Sequence, residues 1–162
     1  MTIKTIKKIS FTILILLVVD SCMHNDHIGV FNYDNKQELS QYNTLHLDAT
    51  HPNLLNPKIS TSDYNLVVKS WSNLHQRIGD FLSKNNFDWE VEDHSIAIVH
   101  KIYFSAEGKI KNYFFKVLTE NVSEEKKEQF ASLILKFSKD NPINFKKEGP
   151  FAQCGKTKYL TE

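Results

Sequence analysis

Between Ser95 and Phe104 the side chains alternate. Ile96, Ile98, His100, Ile102 and Phe104 fall on one parity, and Ala97, Val99, Lys101 and Tyr103 on the other. A period of two is the signature of a strand with one apolar face, and it admits no helix. Ser105-Ala106-Glu107-Gly108 then breaks the run, and Ile110, Tyr113, Phe115 and Val117 resume it after one irregular step. The pattern predicts a β-hairpin with a bulge near Lys111-Asn112 that restores the register. Whatever the rest of the chain does, it must cover the apolar face of this hairpin.

Two helical stripes flank the hairpin. Leu66, Val67, Trp71, Leu74, Ile78, Phe81 and Leu82 recur at helical spacing, with Ser62 and Asp63 as capping oxygens and Asn85-Asn86 as a stop. They predict a helix over about 64–84. After Ser123, Glu124 and Glu125 suit the positive end of a helix, and Phe130, Leu133, Ile134 and Phe137 form a second stripe. Asn141-Pro142 ends it, because proline lacks the donor and disfavours the helical region for its predecessor. A last strand is expected between Pro150 and Leu160. The order helix, strand, strand, helix, strand predicts an α+β fold: a small three-stranded antiparallel sheet with two helices packed on one face.

The amino terminus has a different character. Lys4, Lys7 and Lys8 precede an apolar run from Ile9 to Val19, about half to two-thirds of the roughly 20 residues that span a bilayer. Val19-Asp20-Ser21-Cys22 resembles the lipobox of bacterial lipoproteins, although Asp20 departs from the small or apolar residue usual there. The resemblance implies a signal peptide over 1–21, acylation of Cys22, and attachment to membrane lipid on the periplasmic or cell-surface side of the envelope. Residues 22–62, with Pro52, Pro57 and many Asn, Asp, His, Ser and Thr, read as a tether. Val30, Phe31, Tyr33, Leu39, Tyr42, Leu45 and Leu47 leave room within it for a short strand or turn docked on the domain at 63–162.

Composition narrows the function. The 20 Lys and Arg nearly balance 19 Asp and Glu, with several lysines in the leader, so nothing points to nucleic acid. With Cys22 acylated, Cys154 has no disulfide partner. Ser123 and Lys126 have the spacing of certain serine enzymes but read as a helix cap. Gly155-Lys156-Thr157 lacks the glycine at 150 that a phosphate loop needs, since Pro150 stands there. His24 with His27, and His46, Asp48 and His51, do not complete a four-ligand set; His94 and His100 are too far apart along one strand. Trp71 and Trp89 read as core. We therefore expect no catalytic residue, no metal and no cofactor.

The hairpin stretch Val99 to Ile110, followed by Tyr113 and Phe115, resembles the carboxy-terminal domain of TonB and its relatives. Ile78 to Phe87 resembles that family's first helix and its exit, and Asn144 to Gly149 the approach to its last strand. The chain has Asp88-Trp89 where the family has a Tyr-Pro element, and it lacks the Pro-rich spacer. The resemblance covers about 66–160 and implies a binding module that adds a partner's strand to a sheet edge. On that reading the contact falls on the last strand, at Phe151, Gln153 and Tyr159, and the partner is an envelope protein. The alternative is an immunity or inhibitor lipoprotein directed at a secreted toxin or hydrolase.

Overall fold

The computed structural model describes residues 27–161. The leader, Cys22 and its lipobox, and His24 lie outside the described residues. In chain order the elements are β1 (Gly29–Asn32), α1 (Lys36–Thr44), a 3-10 turn (Leu47–Ala49), α2 (Tyr64–Lys84), β2 (Ser95–Phe104), β3 (Ile110–Val117), α3 (Glu124–Asp140) and β4 (Phe151–Leu160). No helix among the described residues is long and apolar enough to cross a membrane.

The four strands form one sheet in the order β1-β3-β2-β4. β2 pairs antiparallel with β3 on one side and with β4 on the other, while β1 runs parallel to β3. This corrects the expected three-stranded antiparallel sheet with two helices: the sheet is four-stranded and mixed, and there are three α-helices. The extra strand and helix come from the segment read as a tether. Four residues are too few to show a period, and α1 buries no side chain completely, so it carries no stripe. The parallel partner of β1 also lies some 80 residues away, at Asn112 to Phe115, where no local signal reports it.

The even-numbered side chains of β2 and the odd ones of β3 from Tyr113 onward form the face covered by α2 and α3. Val67, Leu74 and Ile78 of α2 and Phe130 and Ile134 of α3 are fully excluded from solvent there, against Ile96, Ile98, Ile102 and Phe115. Each such side chain contributes about 1.5–3 kcal/mol by leaving water. Ser123 caps α3 by accepting from Lys126 N at 3.2 Å. Asp63 occupies the N-cap of α2 without a side-chain cap bond. Its carboxylate instead pairs with Lys147 at 2.9 Å, so neither Ser62 nor Asp63 caps this helix.

The hairpin turn depends on Gly108, whose φ of 85° is costly for any residue with a Cβ. A Cβ there would also lie 2.6 Å from the Phe145 carbonyl oxygen and 2.7 Å from that of Ile143. Opposite Tyr103 and Phe104 the register passes from Asn112 to Ile110, which leaves Lys111 as the extra residue of a bulge.

The other face of the sheet carries α1 and the 3-10 turn. Tyr42 stacks on Phe114 with ring centroids 4.2 Å apart, and its hydroxyl bonds that of Tyr103. Tyr103 donates to Asp48 at 2.8 Å, and Lys101 pairs with the same carboxylate. Burial works to raise the Asp48 carboxyl, but the hydrogen bonds from Lys101 and Tyr103 outweigh it and hold it below the usual range. Asp48, singled out beside His46 and His51 for its metal-ligand chemistry, is thus spent on the sheet.

Candidate functional site

A sheet has two edges, and each strand at an edge turns every second main-chain N–H and C=O outward. On β4 the odd residues bond β2, and Ala152, Cys154, Lys156, Lys158 and Leu160 face out. The first of these is covered: Ala152 N–H donates to the Pro52 oxygen at 3.0 Å and its carbonyl accepts from Leu54 N at 2.8 Å. Asn53 Oδ1 takes the Cys154 N–H at 3.0 Å. Beyond Cys154 the cover stops, and Lys156, Lys158 and Leu160 have no outward main-chain partner among the described residues.

This uncovered half of β4 forms one lip of a groove of about 1030 Å³. The other lip is α2 from Trp71 to Ser83, and Asn86 to Trp89 close one end. Trp71 and Trp89 are 8 % and 4 % exposed, so both serve as packed wall rather than as free rings. Asp80 and Asp88 stand on the α2 side, while Lys156 and Lys158 belong to the β4 lip and pair with Val99 and Ala97, on the strand parity that faces away from α2. Gly155 allows the wall to close: a Cβ there would stand 3.1 Å from the Trp71 ring.

Under the groove runs a chain of polar groups that the apolar pattern does not announce. Tyr113, fully buried, bonds His100 Nδ1 at 2.9 Å, and His100 Nε2 bonds Thr157 at 2.8 Å. Two residues on from Thr157, the Tyr159 hydroxyl lies 2.6 Å from His75 Nδ1. His75 Nε2, on the far side of that ring, is buried and has no hydrogen-bond partner among the described residues. Nearby on the same strand, Gln153 donates to Ser70 Oγ at 3.1 Å.

Burial governs the electrostatics of this set. It lowers His75 to about 3. It also lowers His100 well below its ordinary value, with the neighbouring His75 adding to the effect. Both rings, 4.5 Å apart, are therefore neutral near pH 7. Burial likewise raises the phenols of Tyr113 and Tyr159, and each keeps its proton. A histidine beside a hydroxyl is the pairing that activates a nucleophile, but His100 is fully buried and Thr157 half-buried. The chain fixes the position of β4 against α2.

The residues anticipated as strand contacts are placed differently from one another. Phe151 and Gln153 point into the core with 1 % and 0 % exposure, and Tyr159 is half-buried over His75. Their main-chain groups are already paired with β2. The outward groups belong to the even residues Lys156, Lys158 and Leu160, a parity that follows from the β2–β4 register and from nothing in β4 itself. Ser123 and Lys126 are a helix cap and an ion pair with Glu90 at 2.7 Å. His51 accepts or donates locally at Thr50 and the Leu47 carbonyl. No group of three or more His, Cys, Asp or Glu side chains among the described residues is arranged to hold a metal ion. Cys154 is a free, partly buried thiol, and burial raises it above its ordinary value, which makes it a poor nucleophile. No family model, no curated protein and no solved structure matches this chain, so its reading rests on its own geometry.

Proposed function

We propose that this chain is an envelope lipoprotein, tethered to membrane lipid through Cys22, whose domain holds an extended segment of a partner protein along the outer edge of β4. The observation that carries this reading is the row of unpaired main-chain groups at Lys156, Lys158 and Leu160, lying along a groove that accepts side chains. Strand addition draws affinity from main-chain hydrogen bonds and selectivity from pockets that take alternate side chains. Here the alternate side chains of an added strand enter the groove beside Tyr159 and Trp89. The others meet Lys156 and Lys158, which favour an acidic or neutral partner strand. The same two lysines disfavour self-pairing, because a second copy brings like charges opposite one another.

A photoreactive residue placed at Lys156 in the living cell tests the reading. It is expected to give one discrete protein adduct, while the same group at Tyr33 beside β1 gives none. Indiscriminate labelling from both positions would refute it.

A further inference from the structure

The fold places the entry of the chain and the open edge at opposite corners of the sheet. β1 begins at Gly29, opposite Asn112, on one edge and at the end of the sheet that carries the hairpin turn. β4 is the other edge, and its uncovered residues run toward Leu160, opposite Ser95, at the far end. Ten strand residues reach about 30 Å, and three strand spacings add about 14 Å across. Four residues separate Cys22 from His27, so the five steps between them reach about 18 Å at full extension.

The corner where His27 enters has its own chemistry. His27 and Ile28 lie in a shallow cleft of about 570 Å³ with Ile110, Leu135 and Pro142, rimmed by Lys109 and Lys139. Both lysines are exposed, and Leu135 is 37 % exposed beside them. Lys146 is close enough to Glu107 to lower its carboxyl, together with Lys109, after the larger effects of Ser105 and the Glu107 main chain. Asp140 is the acid in the cleft itself. The buried hydroxyl of Ser138, also in the cleft wall, has no hydrogen-bond partner among the described residues. Lysines around a small apolar depression, next to a short tether, suit a surface of phosphate headgroups over hydrocarbon.

We propose that this corner rests on the bilayer, with Lys109 and Lys139 against anionic phospholipid headgroups, so that the β4 edge is held away from the membrane. The proposal depends on the Cys22 anchor and adds an orientation to it. A lipid anchor by itself selects no face of the domain, whereas headgroup contact selects one. Each lysine near an anionic surface favours the docked orientation about fivefold, and salt weakens the effect.

The test uses the full lipidated chain, extracted from membranes and placed in vesicles of phosphatidylcholine alone or mixed with phosphatidylglycerol. Lysine acetylation rates are then read residue by residue. Lys109 and Lys139 should react about fivefold more slowly on the anionic vesicles, while Lys156 and Lys158 react equally on both. Equal rates at Lys109 and Lys139 on the two vesicle types, or protection of Lys156 and Lys158, would overturn the orientation. A mature mass without acyl chains on Cys22 is a separate failure, that of the anchor itself, and it removes this proposal as well.

Discussion

The two edges of the sheet solve the same physical problem in opposite ways. On β1 two residues face outward, and the chain turns back at once to close one of them. The Asn32 N–H donates to Glu38 at 2.6 Å, and its carbonyl accepts from Asn35 N. Lys127 then ties Asp34 and Glu124 together at 2.8 Å each, pinning this turn to α3. On β4 the closing segment, residues 52–54, covers only the first part of a strand more than twice as long. An edge strand left bare is an aggregation hazard unless something guards or occupies it. Lysines guard this one, and the groove beside it gives an occupant somewhere to put its side chains.

The comparison is most easily broken on the closed side. Phe31 is 9 % exposed and packs on Tyr42 with ring centroids 6.0 Å apart. Phe31→Ala should cost about 3–5 kcal/mol in denaturant unfolding and raise hydrogen exchange in β1 and α1. A loss under about 1 kcal/mol would mean that β1 is not integral to the fold.

Acid should act on the other side. His75 and His100 are held neutral when folded but bind protons near pH 6.5 when unfolded. The unfolded state then carries more protons, so stability is complete above about pH 6.5 and falls as pH drops toward 3. His75 contributes a loss of about 2 kcal/mol at pH 5, and His100 adds to it in the same direction. Denaturation at pH 7 and pH 5 measures the fall, and His75→Gln should make it shallower by about 2 kcal/mol. Because Tyr159 and Thr157 hang on these rings, exchange on mild acidification is expected to rise in β4 before β1.

Gly155→Ala should cost of order 1–2 kcal/mol, since the new Cβ presses on Trp71, and it should narrow the groove without touching β1. Ser123→Ala touches neither edge. It should cost about 1 kcal/mol through loss of the α3 cap and leave partner capture unchanged, which separates stability from the edge's function.

The contrast between the edges also explains what was legible in the sequence. α2, β2 and α3 each bury a long periodic face, and their positions follow from Trp71, Leu74 and Ile78, from Ile96 to Phe104, and from Phe130 to Phe137. β1 and α1 are held by contacts with no local period: a four-residue parallel pairing, the Tyr42 stack on Phe114, and the Lys127–Asp34 pair. The candidate site divides likewise. That the last strand is an edge could be inferred from the order of elements, but which parity of β4 faces out depends on its register with β2. His75 and His100 sit at apolar positions of their elements and look like ordinary core, and only the fold brings them together with Thr157 and Tyr159.

The most direct test of the open edge compares two substitutions at one position. Lys158 turns its N–H outward, where a proline removes the donor without breaking the pairing to β2. Lys158→Ala removes only the charge. If a partner strand binds the main chain, Lys158→Pro should weaken capture at the Lys156 crosslinking position about tenfold or more, while Lys158→Ala changes it little. Equal capture by the proline and alanine variants, both folded as judged by thermal melting, would contradict the account.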